Sequence, residues 1–415
     1  MSMSKLITLA AVAASAAMPM AANADTITTN GVTWTYSELN TTTKTVTIGG
    51  GTRGDAIVPK TAFVNALNIP WKMVIDGEEY TVNKIANGAF WDCTGLTGVL
   101  SIPSTVTTVG GAGAFRGSGL TGISDYGGIT ETQDSLFNAC KGLSGRLTIP
   151  DACTCSFRSY AFYECDGLTS IVVGSGVAKT GQYFGSNCDL LEGVWVKGRP
   201  AVVSGTQAYT EVTVRNALTG LSNLKAVFCG RNTKMGATNN NMFSPGTKGC
   251  KVFVPANGQW DNVANYLGGT DTECIPYGEG EELDLVVDEA AGTVTATPTT
   301  PELLVKMLEA APTFKRAFAL DMKISVTNTL DLTGVTITDD MVDGVTFDRL
   351  VFSAKKQTQL DAILGAFPAT TPISIDPTGL TENMVVPDDY PNVHVKTVPG
   401  VTIKRTGNGF MIIVQ

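Results

Sequence analysis

Histidine is almost absent from this sequence. The one histidine among 415 residues is His394, so a Ser-His or Cys-His catalytic couple would have to use it, and a zinc site with two or more histidines is excluded. His394 lies in the stretch Asn-Val-His-Val, where it alternates with valines. This alternation predicts an exposed residue on a β-strand.

Positive charge is also scarce. The chain has 29 Lys and Arg against 38 Asp and Glu, a formal net charge of -9. Such a chain offers no basic field to attract nucleic acid or anionic lipid, and we expect neither as a partner. Charged residues make up only 16% while glycine is abundant at 45 residues, which indicates a folded, turn-rich β protein and not a disordered chain.

Long apolar runs are missing beyond the first residues. Lys5, an apolar segment over 6–17 and small residues up to Ala24 are typical of a secretory signal peptide. We therefore predict a signal peptide over 1–24 and a mature chain from Asp25, whose identity disfavours a lipoprotein anchor. Nothing downstream offers roughly 18 consecutive apolar residues. We expect a secreted or cell-surface protein with no membrane insertion after cleavage.

Common catalytic signatures are absent as well. No Gly-Lys dipeptide exists for a P-loop, and the glycine-rich stretch 110–119 has neither the spacing nor the strand-loop-helix context of a dinucleotide loop. Asp339, Asp340 and Asp343 lack the spacing of a calcium-binding loop and predict a solvated turn. A glycosidase needs only two carboxylates, but no pair stands out. We predict no enzyme, no cofactor and no metal site.

The tripeptide Arg53-Gly54-Asp55 matches the one that host integrins read, and it falls on a predicted exposed loop. A three-residue match often arises by chance, and Gly-Asp is ordinary turn chemistry ahead of a strand. We therefore predict a turn here and not an integrin ligand.

What the sequence does contain is a repeat of 22 to 25 residues. Its phenylalanines are Phe90, Phe115, Phe137, Phe162 and Phe184. Its leucines, five or six residues further on, are Leu96, Leu120, Leu143, Leu168 and Leu190. Between them stand Cys93, Ser118, Cys140, Cys165 and Cys188, and short β-prone runs follow each leucine. This period predicts a solenoid whose coils bury their apolar residues by stacking on their neighbours.

The repeat unit resembles the BspA-type leucine-rich repeats of bacterial surface proteins. The resemblance rests on residues 84–115, KIANGAFWDCTGLTGVLSIPSTVTTVGGAGAF, with an Ala-Phe pair, a Cys, a Leu and a strand that ends in Ile-Pro. It covers roughly residues 55–275, although Leu218 stands where a later phenylalanine would fall. The resemblance implies a solenoid on the bacterial exterior that serves adhesion or protein interaction and has no catalytic residues.

The repeated cysteines have two interpretations. Equivalent positions of stacked coils lie in a row about 5 Å apart, whereas metal ligands must converge on one point. We favour buried thiols that act as small apolar residues, and the alternative is disulfides between adjacent coils, whose separation suits a bridge.

The fold class that follows is a β-rich, BspA-like leucine-rich repeat solenoid with an N-terminal β cap and a C-terminal α/β or degenerate-repeat domain. We place the β cap at 25–80, the solenoid at 81–278 and the C-terminal domain at 279–415. A helix is predicted to begin after Thr300 as N-cap and to stop at Pro312. Strand-like runs of the C-terminal domain are LDL at 330–332, LVF at 350–352, ISI at 373–375, VHV at 393–395 and a closing hairpin that turns at Gly407-Asn408-Gly409.

Two functions are compatible with this sequence. The first is a non-catalytic adhesion or recognition module in which the broad solenoid face binds an extracellular protein or glycan. The alternative is a structural scaffold of the cell envelope that acts through self-association. Leucine-rich surfaces bind through side chains spread over several coils, so the sequence predicts no particular binding residues.

Overall fold

The computed structural model describes residues 24–62, 64–200, 202–203, 206–236, 238, 240–406 and 409–414. The predicted signal peptide, up to residue 23, and the turn residues Gly407 and Asn408 lie outside the described residues.

The described chain is rich in short strands. They are β1 Asp25–Thr29, β2 Val32–Asn40, β3 Thr45–Ile48, β4 Lys72–Ile75, β5 Glu78–Ile85, β6 Val99–Ile102, β7 Thr108–Val109, β8 Gly122–Tyr126, β9 Ser144–Ile149, β10 Gly167–Val173, β11 Lys179–Thr180, β12 Gly193–Gly198, β13 Val202–Val203, β14 Thr206–Gln207, β15 Thr210–Val212, β16 Ala226–Met235, β17 Lys251–Pro255, β18 Glu273–Tyr277, β19 Leu283–Asp288, β20 Thr293–Pro298, β21 Asp321–Ser325, β22 Thr346–Ser353, β23 Ile373–Asp376, β24 Met384–Pro387, β25 Val393–Val395, β26 Val401–Thr406 and β27 Gly409–Val414. The helices are a 3-10 helix Val263–Tyr266, α1 Pro301–Thr313, a π-helix Phe314–Phe318, α2 Asp339–Val342 and α3 Gln357–Ala366.

From β9 onward, the coils contribute strands to a long parallel sheet, which we call the main sheet, whereas β6 and β8 of the earlier coils pair in parallel as a separate two-stranded sheet. The order of the main sheet is β9, β10, β12, β16, β17 and β18, and every pair is parallel. In-register pairing aligns Leu147, Ile171, Val194 and Val227, whose buried side chains face the solenoid core. Parallel strands that are buried on both faces read as continuous apolar runs, as Ile-Val-Val and Val-Trp-Val do here.

A second, shorter ladder runs along another side of the coils. It begins with β3, β5 and β7, which pair in parallel, and resumes with single bridges from Glu131 to Ser156 and from Ser156 to Lys179. It ends in β11, β15 and the last residues of β16. We call this the side ladder. The strands β1, β2 and β3 pair antiparallel ahead of it, and Trp34 of β2 meets Phe90 edge to face at 6.4 Å between ring centroids.

The repeated phenylalanines form a stack in the core. Phe90, Phe115, Phe137 and Phe162 lie at successive centroid distances of 4.8, 5.4 and 5.5 Å with nearly parallel rings. These distances give the rise per coil. Because each ring fills the space that its neighbours leave open, no single coil is able to bury its own phenylalanine.

The fifth copy differs from the predicted register by one residue. The amide of a repeated phenylalanine donates to the carbonyl of the residue that precedes the equivalent position in the next coil, as Phe115 does to Leu136. The Phe162 amide donates to Phe184. Phe184 therefore precedes the phenylalanine position, and Gly185 occupies it. Leu191, six residues on, is therefore the buried leucine, whereas Leu190 is 53% exposed. The prediction that Leu190 is buried in the core was wrong. The adjacent residues Phe184-Gly185 and Leu190-Leu191 allow the repeat to shift by one residue.

Later coils return to the repeat with other apolar side chains. Leu218 and Phe243 occupy the phenylalanine position, since the Gly185 amide donates to Ala217 and the Leu218 amide to Met242. Both residues are buried. Leu218 thus stands where the sequence predicted a phenylalanine equivalent.

The repeated cysteines are free buried thiols. Cys140, Cys165 and Cys188 donate to the carbonyls of Phe115, Phe137 and Phe162 at 3.1 to 3.2 Å. Burial raises the pKa of Cys140 and Cys188 to about 12, so these thiols stay protonated at neutral pH. The structure therefore favours buried thiols over disulfides, and the thiols of Cys140, Cys165 and Cys188 each link their coil to the phenylalanine backbone of the preceding coil.

The C-terminal residues form a second parallel stack. After the antiparallel pair β19 and β20, the strands β20, β21, β22, β23 and β25 follow one another in parallel. The runs LVF, ISI and VHV lie in adjacent strands, whereas Leu330 contributes a single bridge to Phe352. The closing strand β27 pairs antiparallel with β26 on one side and with β24 on the other.

The helix α1 begins as the sequence predicts but does not stop at Pro312. The Thr300 hydroxyl caps Leu303, and Pro301 occupies the first turn. Pro312 removes one amide donor without ending the helix, and the chain continues as a π-helix until Ala319 turns left-handed at φ 56°. Proline is tolerated inside the helix because a wider π turn follows it. The side chains of Phe314 and Phe318 in this turn are buried.

These two rings attach the C-terminal stack to the outer face of the main sheet. Phe314 lies 5.3 Å from both Phe228 and Phe253, and Phe318 lies 6.1 Å from Trp195. Salt bridges join the two parts at the rim of this contact: Lys251–Glu309, Lys306–Glu273, Arg316–Glu192 and Lys197–Glu289. Over β10 to β18, the outer face of the main sheet is therefore covered by the chain itself.

Candidate recognition groove

The Arg53-Gly54-Asp55 turn is occupied by contacts within the chain. The Asp55 carboxylate accepts hydrogen bonds from the amides of Gly50 and Thr52 at 3.0 and 2.8 Å. The Arg53 guanidinium lies 3.8 Å from the centroid of the Trp91 ring. Since both charged ends are held against the protein, this geometry fits the predicted turn.

The other predicted positions are dispersed. His394 is an exposed residue of β25 between two valines, as the alternation predicts. Asp339 and Asp340 form the exposed start of α2, so the predicted turn is one helical turn. Within the described part of the chain, no three His, Cys, Asp or Glu side chains are placed to hold a metal ion. No helix of that part is long and apolar enough to cross a membrane.

A polar groove crosses four consecutive coils between the side ladder and the turns that carry the phenylalanines. We call it the coil groove. Its cavity volume is about 410 Å³, and its lining residues are Glu131, Asp134, Ser156, Phe157, Arg158, Ser159, Lys179, Gly181, Gln182, Thr213 and Arg215. No part of the C-terminal stack contributes to this lining. The coil groove is therefore open, whereas the outer face of the main sheet is covered.

Two rows of side chains build the coil groove. In the first row, Asp134, Ser159, Gln182 and Arg215 each stand directly before a residue with a left-handed backbone. In the second row, Glu131, Ser156 and Lys179 are joined by the parallel bridges of the side ladder. The same local geometry thus recurs in each coil, while the side chain at that place changes from carboxylate to hydroxyl, amide and guanidinium.

Most charges of the coil groove are paired. Arg158 Nε donates to Glu131 at 3.0 Å, and this carboxylate raises the pKa of the Arg158 guanidinium. Lys179 lies 2.7 Å from Glu211, which also faces Lys234. The Asp134 carboxylate accepts the Ser159 amide at 3.1 Å.

Two polar groups of the coil groove have no partner in the described chain. They are the Thr213 hydroxyl oxygen and Arg215 Nε. Thr213 is only 4% exposed, and a buried polar atom without a hydrogen bond costs about 1 to 3 kcal/mol. No described carboxylate lies within 4 Å of Arg215, unlike its neighbours Arg158 and Lys179.

A cluster of tyrosines lies on the turns next to the coil groove. Tyr160 and Tyr183 directly follow Ser159 and Gln182, and their rings stack at 4.6 Å with Tyr163 edge-on to both. Their φ angles are 63° and 53°, a left-handed conformation that costs a bulky residue about 1 to 2 kcal/mol. Earlier coils have Gly88 and Gly113 at this place, so the two tyrosines occupy positions that favour glycine.

Sequence reasoning named none of these groove residues. Asp134, Ser159 and Gln182 follow the repeat period, at steps of 25 and 23 residues, but the side chain changes from one coil to the next, so no recurring residue type marks them. The unpaired state of Arg215 also depends on distances that only the fold defines. One sequence signal was available, because Tyr160 and Tyr183 stand where the early copies have glycine.

The fold defines a class of protein. Successive coils each add one short parallel strand and one apolar turn to a continuous core, which is the architecture of a leucine-rich repeat solenoid.

The sequence comparison gives the kind of repeat. Residues 57–195 match the model of the BspA type leucine rich repeat region in 6 copies. This match confirms the predicted resemblance over that segment. No curated protein matches the chain.

Three solved structures of leucine-rich proteins are similar to the chain. A leucine rich cell surface protein from Faecalibacterium prausnitzii is 13% identical over 90% of this chain and 96% of its own, with a TM-score of 0.36. A leucine-rich repeat protein of T. pallidum is 19% identical over 59% of this chain and 84% of its own, with a TM-score of 0.27. One from Bacteroides ovatus is 14% identical over 78% of this chain and 99% of its own, with a TM-score of 0.25.

Proposed function

We propose that this protein is an exported, non-catalytic recognition module that binds an extracellular protein or glycan at the bacterial surface. The observation that carries this proposal is the open coil groove, with a buried hydroxyl and a guanidinium that have no partner within the described chain. Unpaired polar groups that line a cavity are better satisfied by a ligand than by an empty site. The BspA-type repeats support the surface location.

We place the binding site in the coil groove because the outer face of the main sheet is covered. The sequence hypothesis gave binding to the broad solenoid face, but over β10 to β18 the outer side of that face packs against Phe314 and Phe318. A ligand there would have to displace a buried aromatic contact. The coil groove needs no such displacement.

The test is solid-phase binding of the mature chain, residues 25–415, to matrix proteins, glycans and labelled intact cells. The proposal expects saturable binding by a chain that is monomeric on a sizing column. Absence of binding to every member of the panel, together with self-association, would instead support the scaffold.

A further inference from the structure

The spacing of the coil groove suits a chain-like ligand. The ring centroids of Phe137 and Phe162, in two coils of the groove, are 5.5 Å apart, and this rise per coil places Asp134, Ser159 and Gln182 at about that interval along the solenoid axis. One sugar unit in an extended polysaccharide advances by a similar length. A glycan that runs along the axis would therefore present one ring to each coil.

The chemistry of the first row also fits a sugar chain. A carboxylate, a hydroxyl and an amide supply both donors and acceptors, and sugar hydroxyls need both. A peptide in extended conformation would instead use an open strand edge, which the coil groove does not offer because its second row is already paired through Glu131, Ser156 and Lys179.

The unpaired cation selects the charge of the ligand. Arg158 and Lys179 are neutralised by Glu131 and Glu211, whereas Arg215 has no described carboxylate within 4 Å and its Nε has no hydrogen-bond partner. The planar guanidinium is suited to a carboxylate, which it binds with two parallel hydrogen bonds. The buried Thr213 hydroxyl, also without a partner, lines the same end of the groove.

We propose that the coil groove binds a linear acidic glycan built from hexuronate units, with one ligand carboxylate on Arg215. This inference rests on the proposed recognition function and adds the class of ligand. The ligand's hydroxyls bond to the first row, where Asp134, Ser159 and Gln182 supply acceptors and donors.

The experiment is a calorimetric titration of the mature chain with an oligohexuronate, with the same oligosaccharide after reduction of its carboxyl groups, and with a neutral glucan. We expect saturable 1:1 binding of the oligohexuronate and binding weaker by about tenfold or more after reduction, because a charge-assisted bond is lost. This comparison uses the unaltered chain and needs no variant to fold. Equal binding of the acidic and reduced forms, or no binding of either, would overturn the inference.

Matched arginine variants then locate the site. Arg215→Gln is expected to weaken oligohexuronate binding by about tenfold or more. Arg116→Gln serves as the control, since Arg116 stacks on Trp91 at 4.7 Å outside the groove, and is expected to leave binding unchanged. An equal loss in both variants would show that net charge and not the groove binds the glycan. A chain that binds a protein of the wider panel but no hexuronate would overturn this inference and leave the recognition function standing.

Discussion

At the scale of single residues, the core selects one side chain from each short ambiguous run. Leu190 and Leu191 are chemically identical neighbours, yet the first is 53% exposed and the second fully buried. The hydrogen-bond register of the coil decides between them, because the Gly185 amide must reach the Ala217 carbonyl. A repeat template read from sequence does not contain that information.

This pair gives a direct prediction for stability. Leu191→Ala is expected to lower the free energy of unfolding by about 2 to 5 kcal/mol, because it leaves a cavity in the core. Leu190→Ala is expected to change it by no more than about 0.5 kcal/mol. Urea denaturation of both variants measures the difference. A larger loss for Leu190→Ala would restore the register that the sequence predicted.

Asp376 gives the C-terminal stack a dependence on pH. Hydrogen bonds from Thr378 and the nearby Lys396 ammonium lower the pKa of this largely buried carboxyl to about 2. An unfolded aspartate has a pKa of about 3.9, so the stabilisation is complete above that pH and is lost as the pH falls toward 2.

The expected size of this effect is about 2 kcal/mol between pH 4 and pH 2. Thermal melts across that range should show a smaller loss of stability in Asp376→Asn than in the unaltered chain. The exposed partner of Lys323, Asp348, provides the control substitution Asp348→Asn. Parallel curves for the unaltered chain and Asp376→Asn would refute this role of the carboxyl.

At the scale of elements, the docking of α1 and its π-helix on the main sheet depends on Gly193, because the sheet has no side chain at that position. A Cβ atom on Gly193 would lie 2.6 Å from the Ala317 Cβ and 2.8 Å from the Phe318 ring. Gly122 holds the corresponding place before the inward residue of β8, where a Cβ would meet Val99 at an ordinary 3.4 Å. The contrast follows from the covering helix, which is present over one coil and absent over the other.

Gly193→Ala is therefore expected to lower the free energy of unfolding by about 1 to 3 kcal/mol, because the π-helix must shift away from the sheet. Urea denaturation and limited proteolysis of the full chain measure the loss and the loosening of the C-terminal stack. Gly122→Ala is the matched control and should leave both readouts nearly unchanged. Equal effects of the two substitutions would contradict the docking described here.

The sequence predicted elements better than their arrangement. The coils near Phe90 and Phe137 were predictable because the period is strict, and the start of α1 was predictable because Thr300 and Pro301 act locally. Passage of the helix through Pro312 was not, since the compensation comes from rings that are buried against a sheet distant in the sequence. The coil groove was not predictable either, because its residues come from four coils that are distant in the sequence.

At the scale of the whole molecule, the solenoid and the C-terminal stack have different roles. The C-terminal stack covers the outer face of the main sheet through Phe314 and Phe318, and the side ladder leaves the coil groove open. The surface that we propose for recognition therefore lies on the turns of the coils between residues 131 and 215 and not on the wide sheet.

The most direct test of this account is a hydrogen-exchange footprint of the mature chain with and without a saturating amount of whichever panel protein or glycan binds it. The account predicts slower exchange over the groove segments 131–135, 156–160, 179–183 and 213–216, with the main-sheet strands β12 and β17 unchanged. Protection confined to β12, β17 or the C-terminal stack would contradict the account and return recognition to another face.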